Sequence, residues 1–165
     1  MLQDKSDRPY FARLSDLDYD EIYVSPLDLN VEDGAIMTPY RPTIRLATPA
    51  RTGANETIGS IVLNYGAAPM LTSIEEAAEL SSGQPMMLNA DGYWLLSIDP
   101  AHNWGFMFPG HEDARMEALY PRTWAEARLA KTGQVHTEEG LFTYRVIDMV
   151  GDIVSPTGNA SVERP

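Results

Sequence analysis

Thr43-Ile44-Arg45-Leu46-Ala47-Thr48-Pro49-Ala50, the polar run Arg51-Thr52-Gly53-Ala54-Asn55-Glu56, and Ile58-Gly59-Ser60-Ile61-Val62-Leu63-Asn64-Tyr65 decide the fold. In the first segment Ile44, Leu46 and Thr48 alternate with Arg45 and Ala47, the period of a strand. Gly and Asn in the middle run are turn chemistry, so residues 43–65 are expected as an antiparallel hairpin. Ahead of it, residues 21–25 read as a short strand, and Asp33-Gly34 as a turn after an extended segment.

Beyond the hairpin a helix is expected from Thr72 or Ser73. Ser73 and Glu76 have capping-box spacing, Leu71, Ile74 and Ala78 form an apolar face, and Ser81-Ser82-Gly83 closes it. Met86-Met87-Leu88 and Tyr93-Trp94-Leu95-Leu96 flank Asn89-Ala90-Asp91-Gly92, whose Asp-Gly signals a second hairpin. Residues 99–122, with Pro100, Pro109, Gly110 and Pro121, read as a long irregular loop of the kind that carries function. Thr123-Trp124-Ala125-Glu126 opens a capped helix that Gly133 closes, and residues 141–147 alternate as a strand. From Gly151 the chain turns to Gly, Pro, Ser and Asn, a flexible tail. The fold class is α+β, antiparallel sheets with flanking helices.

The 165 residues are 44% hydrophobic, enough for a packed core. A formal charge of -12 argues against a nucleic-acid or anionic-membrane surface, which needs clustered Lys and Arg. With no Cys there are no disulfides, thiol nucleophiles or Cys-ligated metals. Met1-Leu2-Gln3-Asp4-Lys5-Ser6-Asp7 has no apolar core of a signal peptide, and no segment approaches the roughly 20 apolar residues of a membrane span. A cytosolic protein and a soluble piece of a larger one both fit.

Catalytic signatures are missing. There is no Gly-rich phosphate loop, no zinc-protease helix and no Gly-x-Ser-x-Gly elbow. His102, His111 and His136 are scattered without ligand spacing. Asp28-Leu29-Asn30-Val31-Glu32-Asp33-Gly34 fails as a calcium loop, because Asp33 and Pro39 occupy the positions that need Gly and Glu. Glu75-Glu76 and Glu138-Glu139 are neighbours in sequence and point apart, so they read as solvated surface. Trp104-Gly105-Phe106-Met107-Phe108 reads either as an apolar strand or loop on the core or as an aromatic lid. The best constellation is for binding: Arg8 and Tyr10, Tyr23 and Ser25, and Arg45 or Arg41, an Arg fork for a carboxylate beside orienting tyrosines. No cofactor or metal is called for.

Asp7-Arg8-Pro9-Tyr10-Phe11, Tyr23-Val24-Ser25-Pro26-Leu27-Asp28-Leu29-Asn30, residues 42–49, Leu63-Asn64-Tyr65, residues 88–95, Trp104-Gly105-Phe106-Met107 and Gly140-Leu141-Phe142-Thr143-Tyr144 carry a resemblance. They resemble the extracytoplasmic PAS-like sensor domains, called Cache or PDC domains, of bacterial membrane-bound diguanylate cyclases (GGDEF proteins) and histidine kinases. The resemblance implies a PAS-like sensor fold of two stacked modules. Residues 1–71 would be the later part of the membrane-distal module, residues 72–150 the membrane-proximal one, and 151–165 the tail. The long helix and first strands of the distal module would then precede Met1, and the whole protein would be anchored in the inner membrane with this part in the periplasm.

In amino-acid sensors of that family, an Arg and an aromatic near the Arg-Pro-Tyr segment work with a Tyr and an Asp on the following strand. Arg8, Tyr10 and Tyr23 match in type, while Ser25 stands where the amine-binding Asp is expected. The resemblance then leaves a small carboxylate or other polar metabolite, bound by Arg8, Tyr10, Tyr23, Ser25 and Arg45 without catalysis, or no ligand at all. A homodimer is a candidate assembly. Two other readings stay open: an interaction module using the aromatics of residues 104–108, and a small soluble hydrolase.

Overall fold

The computed structural model describes residues 9–17, 21–79 and 82–147. The chain divides into two compact units, Met1–Pro69 with Met149–Pro165, and Met70–Asp148.

The first unit is built on a long antiparallel hairpin. β5 (Pro42–Arg51) and β6 (Thr57–Gly66) pair from Thr43↔Gly66 to Ala50↔Gly59, as the alternation of residues 43–65 predicts. The other edge of β5 takes two short strands in turn, β1 (Tyr23–Val24) and β2 (Asp28–Leu29). Their registers are Val24↔Leu46 and Asp28↔Thr43, so four steps on one side match three on β5. One residue is extra, a bulge, and it falls at Pro26, which has no N–H to give to a ladder. Beyond it, β3 (Val31–Glu32) and β4 (Ala35–Ile36) form a small hairpin. Asp33 (φ 49°) and Gly34 (φ 78°) supply the two left-handed residues of its turn. A short helix, α1 (Pro9–Arg13), and a following 3-10 turn (Leu14–Asp16) lead into the sheet, and Leu14, Leu17, Tyr23 and Ala47 pack together as buried core.

α2 (Ala68–Glu79) starts four residues before the Thr72 expected from sequence. Pro69 presets the backbone of its first turn and has no N–H to leave orphaned, so the helix begins there and Ser73 lies inside it. Its inward residues are the expected ones: Leu71 is buried and Ile74 and Ala78 are half-buried.

In the second unit, β7 (Met87–Leu88) and β8 (Trp94–Leu96) form the Asp-Gly hairpin, with Gly92 at φ 82°. Residues 99–122 are not a structureless loop. They hold two 3-10 turns, Pro100–His102 and Gly105–Met107, and a short helix α3 (Met116–Leu119). Asp99 caps the first turn by accepting from the Ala101 amide at 3.0 Å, and Trp104, left-handed at φ 64° and buried, donates its amide to Trp94 O at 2.7 Å. The aromatics of residues 104–108 therefore belong to a turn and not to an alternating strand. α4 (Pro121–Ala127) also carries a proline in its first turn, here as its first residue, so Thr123 is inside the helix. It stops well before Gly133, which lies in β9 (Thr132–Thr137), paired with β10 (Gly140–Arg145). Trp94, Leu95, Trp104, Met116, Thr123 and Val135 are buried.

Candidate functional site

Strand registers put Tyr23, Ser25, Asp28, Thr43, Arg45, Ala47, Val62 and Asn64 on one face of the first unit's sheet. Two parts of this face differ in character. Around Tyr23 it is apolar and covered by Leu14 and Leu17. Toward the Thr43 end it is polar.

The polar part centres on Arg45. Its guanidinium meets Asp28 Oδ1 at 2.6 Å and donates to Asn30 Oδ1 at 3.3 Å. Only 11% of the Arg45 side chain is exposed, against 33% for Asp28, so the charge is matched where water is scarce. Asn30 is held in turn by donating to Glu32 Oε1 (3.2 Å) and Met37 Sδ (3.3 Å). Ser25 sits opposite Arg45. Its amide donates to Arg45 O at 2.8 Å, and its hydroxyl accepts from Arg45 N at 2.8 Å while donating to Pro26 O at 2.9 Å. The hydroxyl thus takes the place of a ladder carbonyl at the bulge. Burial pushes the Tyr23 phenol above its ordinary 10.0, partly offset by Arg13, with Asp28 adding to the rise and Arg45 opposing it.

Asn30 also lines an open depression of about 360 Å³, with Tyr40, Arg41, Thr43, Asn64 and Pro69. Asn64 is the β6 residue directly opposite Arg45, and the Asp28–Arg45–Asn30 cluster reaches the depression through Asn30, with Arg45 and Asp28 behind its lining. The volume is at the small end of the about 300–1,000 Å³ usual for ligand sites. Arg41 is exposed and offers a second guanidinium.

Of the residues expected to bind, Tyr23, Ser25 and Arg45 share this face. Arg8 lies outside the described residues, and so does the side chain of Tyr10, whose backbone is in α1. Sequence reasoning passed over Asp28, Asn30, Tyr40 and Asn64. Strict alternation from Ser25 puts residue 27 on its face, and Pro26 was the signal that the alternation would slip to Asp28. The tail from residue 151 onward lies outside the described residues. Among them no cluster of His, Asp and Glu could hold a metal ion, and no helix is long and apolar enough to cross a membrane.

Several solved structures share the fold. The extracellular domain of a protein described as histidine kinase vpHK1S-Z8 matches with a TM-score of 0.78 and 22% identity, over 90% of this chain and 52% of that one. A domain of a sensory box/GGDEF family protein from Vibrio parahaemolyticus matches with 0.71 and 23%, over 90% and 55%. The periplasmic sensory domain of the Campylobacter jejuni chemoreceptor Tlp1 matches with 0.53 and 14%, over 79% and 45%. The chain thus spans about half the length of these structures, and at such identities the likeness establishes the fold, the PAS-like sensor fold that the sequence blocks imply. No curated protein matches at a significant level. The model of the family described as bacterial histidine kinase, sensor domain, matches residues 1–154. The chain therefore belongs to the bacterial histidine kinase sensor-domain family, a family of sensing and not of catalytic domains.

Proposed function

We propose that the chain is the ligand-sensing region of a bacterial transmembrane receptor, with a histidine kinase or diguanylate cyclase as output, and that it stands on the periplasmic side of the inner membrane. Family membership and the extracellular or periplasmic origin of two matched structures support the placement. The ligand is a small polar metabolite carrying a carboxylate. One observation carries this reading: an open depression lined by Tyr40, Thr43 and Asn64 presents the exposed guanidinium of Arg41 beside Asn30, which Arg45 holds. A guanidinium recognises a carboxylate through paired N–H donors. Tyr23 and Ser25 lie on the same sheet face as Arg45, and Arg8 and Tyr10 belong to the segment that precedes them in sequence. The two modules would be residues 1–71 and 72–150, followed by a flexible tail.

Binding acts as a signal only so far as the ligand prefers one of two conformations. A thermal-shift screen of small carboxylic acids against the receptor's sensory region tests the reading. A ligand at 100 times its Kd is expected to stabilise by about 2.7 kcal/mol. Arg41→Ala is expected to weaken that shift with little change in the unliganded melting point, because its side chain is exposed. A complete screen without any shift sinks direct sensing.

A further inference from the structure

Among the described residues, Arg41 is the one charged side chain that lines the depression. The carboxylates of the adjoining cluster are committed within it, Asp28 to Arg45 at 2.6 Å and Glu32 to Asn30 at 3.2 Å, and neither belongs to the lining. The first turn of α2, with Ala68 and Pro69 in the wall, adds the positive end of a helix dipole. An ammonium group entering this wall would lose water without gaining an anion. The neutral groups have a direction as well. Both amide hydrogens of Asn30 are spent, on Glu32 Oε1 and Met37 Sδ, while Oδ1 accepts one N–H from Arg45 and keeps a second lone pair. Thr43 is buried and its hydroxyl donates to Arg41 O at 2.9 Å, so toward a solute it can only accept. Pro42 and Pro69 have no N–H, and the Ala67 amide donates to Pro42 O at 2.8 Å.

We infer that the depression selects hydroxycarboxylates, with the carboxylate on Arg41 and the hydroxyl donating to Asn30 Oδ1 or Thr43 Oγ1. This rests on the carboxylate reading above and adds the second functional group. A hydroxyl is a neutral donor and answers acceptors that have no hydrogen left to give. A keto oxygen can only accept, so it meets them lone pair against lone pair. An unsubstituted chain leaves them unanswered after displacing their water. An amino acid offers hydrogens, but it brings a positive charge beside Arg41 where no lining carboxylate offsets it.

Calorimetric titration of the intact receptor with matched acids tests the inference. Lactate, pyruvate, propionate and alanine share one carbon skeleton, and 2-hydroxybutyrate, 2-oxobutyrate, butyrate and 2-aminobutyrate share the next longer one. In each set the hydroxy acid is expected to bind at least about tenfold more tightly than the rest. A keto, unsubstituted or amino acid that binds as tightly as its hydroxy counterpart overturns the inference and leaves the carboxylate reading standing. Failure of every acid in both sets to bind overturns it too, and a blank wider screen of carboxylic acids then takes the carboxylate reading with it. Asn64→Asp gives an independent measurement, because it adds a carboxylate to the lining at an exposed position. The preference for lactate over alanine is expected to shrink by about tenfold in this variant. An unchanged preference places recognition outside the depression and overturns the inference.

Discussion

Arg45 keeps so little of its side chain in water that its charge has to be answered inside the protein, and Asp28 answers it at 2.6 Å. Replacing Asp28 by Asn leaves the guanidinium with neutral partners. Asp28→Asn is expected to cost about 1–3 kcal/mol, below a fully buried pair because Asp28 is partly wet. A urea midpoint that falls at constant slope checks this, and an unchanged midpoint counts against a structural ion pair. Glu139 is a second residue whose partners are fixed. Its carboxylate accepts from Thr123 Oγ1 (2.6 Å), Thr123 N (2.9 Å) and Arg122 N (3.1 Å), so it caps α4 from the turn after β9. Partial desolvation lifts its pKa, but those hydrogen bonds and the Arg122 charge outweigh this and hold it below the ordinary 4.5. Its contribution to stability is therefore full above pH 4.5 and is lost as the pH falls through the lower folded value. Glu139→Gln is expected to melt earlier at pH 7, with the gap to the native protein closing below pH 4.5. A gap that stays constant across that window refutes the assignment.

The two helices with recognisable capping boxes begin elsewhere, for one reason. Ser73-Glu76 and Thr123-Glu126 have the right spacing, yet α2 starts at Ala68 with Pro69 second, and α4 starts at Pro121. A cap worth about 1 kcal/mol is local, whereas Pro constrains the backbone and Glu139 supplies the missing acceptors from 16 residues away. Turns were legible because their chemistry is local: Asp33-Gly34 and Asp91-Gly92 both lie where the residue types place them. Gly92 is doubly constrained, since a methyl group added there would stand 3.0 Å from Trp124 Cζ2 on a backbone at φ 82°. Gly92→Ala is expected to destabilise by about 1–3 kcal/mol. Thermal melting measures it, and a loss within error would mean that the turn and Trp124 relax freely.

Across the whole molecule, 24 acidic residues against 12 basic ones give self-repulsion that salt screens over about 10 Å at 0.1 M. The melting temperature is expected to rise as sodium chloride goes from low to moderate concentration. A fall would mean that ion pairs such as Arg122–Glu138 (3.1 Å) outweigh the net charge. Hairpins, apolar periodicity, the acidic surface and the ordered blocks of the sensor family could be read directly from residues 8–144, because each depends on neighbours a few positions apart. Which carboxylate faces Arg45 and which residue caps α4 could not. Those depend on a bulge at Pro26 and on pairings 16 or more residues apart, where a one-residue slip exchanges the two faces of a strand.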